Sequence, residues 1–202
     1  GMDEIHITAI ISTSALVFTL VAPMWGRFSD RVGRKPVILI GLAGYSLGSL
    51  SFAILFGAAG QGVITGTTLF LVALVLRSLQ AATMSATHPG CTAYAVDHTV
   101  ARFRIKTLSR LSSANSLGMI MGPVLAGLVA GLGLLAPLVV ASILCAAAAI
   151  IIALKLSIGV PPRAVSTHTQ KIGYLDARVR MYLLSAIGAF TGFAMEIGRA
   201  HV

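Results

Sequence analysis

Charge is what this sequence has least of. Only 10% of its 202 residues are Asp, Glu, Lys or Arg, against about a quarter in an ordinary soluble domain. Hydrophobic residues make up 56%. That deficit excludes water as the main solvent and leaves lipid. Acids are scarcer still, six in the whole chain, and none lies inside a complete apolar run. Cysteine is limited to Cys91 and Cys145, both in apolar runs, with no Cys-x-x-Cys spacing and no neighbouring His pair. They read as small buried hydrophobes, so neither a disulfide nor a metal site is supported. His6, His88, His98 and His168 are scattered without metal-ligand spacing, and His88 reads as structural rather than proton-transferring. No cofactor is implied. The opening Gly1-Met2-Asp3-Glu4 shows no signal-peptide pattern.

What the sequence has instead is long apolar windows. A membrane-spanning helix takes about 20 such residues. Spans are expected at 5–25, 37–57, 66–95, 112–132 and 134–154, with a sixth beginning near Val179. The fold class is therefore all-α and polytopic. The net charge of +9 would suggest nucleic acid if the cations formed one patch. They do not. Of fifteen Lys and Arg, thirteen fall in three connections: Arg27, Arg31, Arg34 and Lys35; Arg102, Arg104, Lys106 and Arg110; and Lys155, Arg163, Lys171, Arg178 and Arg180. The alternate connections, 58–65 and around Gly133, hold none. Short Lys/Arg-rich loops stay cytoplasmic, which places loops 26–36, 97–111 and 155–178 inside. The excess charge is topological, so the partner is the lipid bilayer and not nucleic acid. A membrane enzyme would need clustered His, Asp or Ser at one depth, and no such cluster is visible.

The stretch Gly26–Lys35, GRFSDRVGRK, reads as a tight charged connection between the first two spans. Gly26 would let a helix end close against its neighbour. Gly33 would take the positive φ of a reversal, and Asp30 would accept backbone N–H groups or pair with a nearby Arg. The pattern resembles G-x-x-x-D-R-x-G-R-K of the major facilitator superfamily, matched at Gly26, Asp30, Arg31, Gly33, Arg34 and Lys35. The resemblance implies that this Asp and Arg help hold two transporter halves together at the cytoplasmic side. It also implies that Asp97, at the inner end of the 66–95 span, pairs with the loop. A loop that only sets topology is the plainer alternative.

Arg77 is the one basic residue inside a complete span. A charge there costs at least ~2.5 kcal/mol on insertion scales, so it should face a polar cavity or a partner; snorkelling to the outer interface is the alternative. The run from Arg77 to Ala86 resembles R-x-x-Q-G-x-G-A-A of the same family, matching at Arg77 and Gln80, with Ala81 and Thr83 in place of glycines. Pro89-Gly90 should kink or loosen this span. Farther on, Gly118, Gly122, Pro123, Gly127 and Gly131 form small-residue stripes that let helices approach closely, while Pro123 removes an internal hydrogen bond. With Gly-Pro, the stripe resembles the family's antiporter motif, although Ala126-Gly127 replaces its final Gly pair. Asn115, one turn earlier, is a candidate for lining a cavity or for a helix-to-helix hydrogen bond.

The resemblance implies part of the N-terminal half of a 12-helix major facilitator fold. Residues 1–154 would be that half without its first helix, 155–178 a cytoplasmic linker with Pro161-Pro162, and 179–195 the start of a seventh helix. Glu196–Val202, EIGRAHV, resembles a translated short-read sequencing adapter and is expected to be an artefact. The function implied is secondary active transport in a bacterial inner (plasma) membrane: export of a small molecule, drug-like or metabolite, by a monomer in antiport with protons. Arg77, Gln80 and Asn115 would bear on coupling or substrate. An uptake symporter, a uniporter or exchanger of the same fold, and a non-transporting scaffold or sensor are the alternatives. The fragment alone should be inactive.

Overall fold

The computed structural model describes residues 4–156, all within one compact unit, Gly1–Arg163. The expected segments 179–195 and 196–202, and all but the first two residues of the 155–178 linker, lie outside the described residues. Six α-helices make up most of the described residues: α1 Glu4–Val32, α2 Arg34–Gly60, α3 Gly66–Met84, α4 Thr87–Asp97, α5 Arg104–Ala130 and α6 Ala136–Lys155. A single 3-10 turn, Ala101–Phe103, precedes α5. With α3 and α4 counted together, five segments of the described residues are long and apolar enough to cross a membrane.

The expected spans recur with three shifts, the last of which is that α5 begins at Arg104, inside the expected 97–111 loop. The charged stretch Gly26–Lys35 is not a loop: α1 continues to Val32 and α2 starts at Arg34. A helix of 29 residues is about 44 Å long, against about 30 Å of hydrocarbon. Its last turns therefore carry charge outside the lipid without leaving the helix. The connection is Gly33 alone, at φ 102° and ψ 163°, a region open essentially only to glycine. Its N–H reaches the Ser29 carbonyl at 3.0 Å.

The second shift is in the 66–95 span, which is two helices. The break falls at Ser85–Ala86, one turn before Pro89. Proline cannot donate to the carbonyl four residues back, and its ring crowds that carbonyl, so its effect appears upstream at Ser85. At the break the Ala86 N–H turns to the Thr83 carbonyl at 3.1 Å, and the Ala82 carbonyl instead takes the Ser85 hydroxyl at 2.8 Å and, from α1, the Trp25 indole N–H at 2.7 Å.

Helix α2 is the spine against which α3, α4 and α6 pack. Gly41, Gly44 and Gly48 share one face and sit under Thr87, Thr83 and Gln80. A Cβ at Gly48 would fall 2.5 Å from Gln80 Cγ, so glycine is what permits the approach. At the opposite flank α2 meets α6 through Ser46 and Ser142. Each hydroxyl donates to the other's carbonyl, at 2.9 and 2.8 Å, and both serines are buried. Phe52, Leu55 and Ala73 form the core near the 58–65 end, packed by Ile10, Leu76 and Leu138. Helix α5 contributes no buried residue.

The expectation of close packing at the 118–131 stripe is not met among the described residues. A Cβ at Gly118, Gly122 or Gly127 would meet nothing within 4 Å, and α5 runs on through Pro123 as one helix. Small residues permit an approach without supplying the partner. Gly26 likewise has open space where a close neighbour was expected.

Gly48→Val should cost about 1–3 kcal/mol through overpacking, while Gly118→Val in the same chain should cost under about 0.5 kcal/mol. Denaturant unfolding in detergent micelles would measure both, and equal losses would contradict this packing.

Candidate functional site

Arg34, the first residue of α2, reaches three groups on two other helices. Its Nε donates to Asp97 Oδ2 at 2.8 Å at the end of α4. Its Nη1 donates to Asp30 Oδ1 at 2.6 Å and to Ser29 Oγ at 3.2 Å, both on α1. The reversal at Gly33 turns the chain so sharply that Arg34 can look back at the turn it has just left. The two ion pairs differ in setting. Arg34 and Asp97 side chains are 14% and 29% exposed, whereas Asp30 is 64% exposed. Water screens the Asp30 pair more, so the Asp97 pair carries the larger share of the energy.

Lys35 performs a different task. Its Nζ donates to the carbonyls of Ala153 and Leu156, each at 2.7 Å, at the end of α6. The last carbonyls of a helix have no internal partner, and a cation there also meets the negative end of the helix dipole. The start of α2 and the ends of α4 and α6 therefore share one rim, where Arg31, Arg34, Lys35 and Lys155 sit at helix ends. Arg31 is exposed and makes no ion pair with another described residue.

Deeper in the bundle, Arg77 on α3 donates from Nη1 to Gln80 Oε1 at 2.7 Å. Gln80 is buried and passes its own Nε2 donors to Ser49 Oγ at 3.2 Å and the Tyr45 carbonyl at 3.3 Å on α2. These four residues line a cavity of about 380 Å³ whose other walls are apolar, among them Ile10, Phe52 and Leu138. Arg77 thus has a partner, Gln80, beside a cavity that is mostly apolar.

Asn115 does not join this group. It lines a separate cavity of about 780 Å³ with His88, Cys91 and Cys145. Tyr45 borders both cavities. The sequence reading missed Tyr45, Ser49 and Trp25, each of which binds through a partner at least 31 residues away. The spacing of Gly41, Gly44 and Gly48 was the one local signal that could have pointed to α2 as the spine.

Apolar helices of membrane-spanning length, tied by ion pairs at one rim, are the build of a polytopic membrane protein. The sequence matches the Major Facilitator Superfamily over residues 1–198. It is 30% identical over 193 residues to "Multidrug resistance protein 2" of Bacillus subtilis (strain 168), covering 94% of this chain and 45% of that protein. It is 32% identical over 139 residues to "Tetracycline resistance protein, class C" of Escherichia coli, covering 69% and 32%. A triacylglyceride transporter of Mycolicibacterium smegmatis is 34% identical over 119 residues, covering 58% and 19%. The chain thus spans less than half the length of these relatives. It belongs to the major facilitator superfamily, a family of transporters rather than enzymes.

Double-mutant cycles on Arg34 should give a coupling of about 1–2 kcal/mol with Asp97 and below about 0.5 kcal/mol with Asp30. Unfolding in detergent measures both, and the reverse order would contradict the assigned geometry.

Proposed function

We propose that the complete protein containing this segment exports a small molecule, drug-like or metabolite, in exchange for protons across a bacterial inner membrane, working as a monomer by alternating access. The observation that carries this reading is the pairing of two features on one bundle. Arg34 ties α1, α2 and α4 at the cytoplasmic rim, and Arg77 with Gln80 presents a cation to an apolar cavity. Relatives named for multidrug and tetracycline resistance support the direction of transport.

In this reading the Arg34 contacts with Asp30 and Asp97, together with the Lys35 cap on α6, make the inner rim of this half one rigid piece. It can then rock as a body against a second half. Asp30 and Arg31, the more exposed of the charged groups, are the ones to engage that second half and latch the gate. Gly118, Gly122, Pro123 and Gly127 offer a small-residue face for a helix outside the described residues. Arg77 and Gln80 bear on coupling or on substrate charge, and Asn115 on the lining of the neighbouring cavity.

The absence of Asp and Glu from every complete span favours one further reading, a uniporter or exchanger without a proton-carrying carboxylate of its own. In the antiport reading that carboxylate belongs to a segment outside this chain. The two part company in inside-out vesicles bearing the full-length protein. Antiport predicts that an imposed pH gradient drives substrate accumulation, and that Arg77→Gln lowers the rate at least about tenfold, equivalent to about 1.4 kcal/mol. Accumulation that ignores the gradient would select the uniporter or exchanger. Inward flux with the gradient reversed would select a symporter, and an Arg77→Gln rate equal to wild type would remove Arg77 from the mechanism.

A further inference from the structure

The basic connections do not spend their cations in the same way. At the first, Arg34 is neutralised by Asp30 and Asp97 and Lys35 is taken up by carbonyls of α6, which leaves Arg27 and Arg31 without an ion pair to a described residue. At the second, residues 98–110, Arg102, Arg104, Lys106 and Arg110 form no ion pair with any described residue, and the segment contains no acid. Topology alone would need only the charge. This segment also displays Val100, Phe103 and Ile105 at 73%, 50% and 81% exposure, interleaved with the cations.

The segment is also ordered, so the arrangement is preset. Arg104 Nε donates to the Thr99 carbonyl at 3.3 Å, the Thr99 hydroxyl donates to the Ala95 carbonyl at 2.6 Å, and the Phe103 N–H reaches the Val100 carbonyl at 2.8 Å. The Arg102 guanidinium lies 5.4 Å from the centre of the Phe103 ring, within cation–π range. Lys106 and Arg110 stand one helical turn apart at the start of α5, where residues four apart share a face. Apolar side chains beside unpaired cations, at the cytoplasmic end of membrane helices, fit a boundary where acyl chains give way to phosphates.

We propose that residues 98–110 form a docking surface for anionic phospholipid headgroups of the cytoplasmic leaflet. Phosphates meet Arg102, Arg104, Lys106 and Arg110, while Val100, Phe103 and Ile105 enter the upper acyl region. Charge complementarity selects the lipid, since a zwitterionic headgroup brings no net charge to cations that no carboxylate balances. The inference is independent of transport direction and of the Arg77 cavity.

The test is native mass spectrometry of the 202-residue chain released from nanodiscs of equal phosphatidylglycerol and phosphatidylcholine. Wild type should retain phosphatidylglycerol in excess over phosphatidylcholine. Arg102→Gln with Lys106→Gln should reduce that excess severalfold, since each juxtamembrane cation is worth roughly fivefold in anionic-lipid affinity. Arg27→Gln with Arg31→Gln removes the same charge from the other connection and should leave most of the excess in place. Phe103→Ser should lower it without changing net charge. Equal retention of the two lipids by wild type would overturn the proposal. So would equal loss in both double variants, or loss of the preference on adding millimolar inorganic phosphate, which would mark a free-phosphate site.

Discussion

In hydrocarbon, a backbone carbonyl without a donor costs several kcal/mol, and that cost decides how these helices are joined. At two places where the regular helical ladder fails or ends, a side chain from another helix reaches the oxygen. At the α3–α4 break it is Trp25 on Ala82, and at the end of α6 it is Lys35 on Ala153 and Leu156. In mid-bundle the Ser46 and Ser142 hydroxyls add bonds to each other's carbonyls. Each of these bonds satisfies a polar group and also ties two helices at a fixed depth. Helix α2 is held to α6 at two levels, and α1 is held to α3 at one.

That stitching bears on the transport proposed for the complete protein. A carrier half that rocks as a body must not shear internally, and apolar packing alone gives little resistance to sliding between helices in lipid. Directional bonds at the rim and in mid-bundle supply the missing resistance. The polar chain Arg77–Gln80–Ser49 runs across the same α2–α3 interface that Gly48 brings close.

The spans were legible in the sequence because the change of solvent rewrites composition on either side of every boundary. A contact between the charged stretch and Asp97 was implied by the family resemblance, not by any local signal, since Arg34 and Asp97 lie 63 apart in the chain. Other features were not. Charge in Arg27–Arg31 was read as a loop, yet a helix longer than the hydrocarbon is thick can carry charge on its projecting turns. The break at Ser85–Ala86 was expected at Pro89-Gly90, but proline acts on the carbonyl four residues upstream. The serine clasp spans 96 residues, and two isolated serines give no local sign of each other. Glycines at 118–127 announced a close approach without naming a partner, whereas those at 41, 44 and 48 made one.

The interhelical carbonyl bonds can be observed singly, because the chain has one tryptophan. Isotope-edited infrared spectroscopy of a labelled Ala82 carbonyl reports the donors it holds. The account predicts a stretch below that of ordinary helical carbonyls, rising toward them in Trp25→Phe. A frequency that is ordinary in the wild type, or unmoved by the substitution, would contradict it.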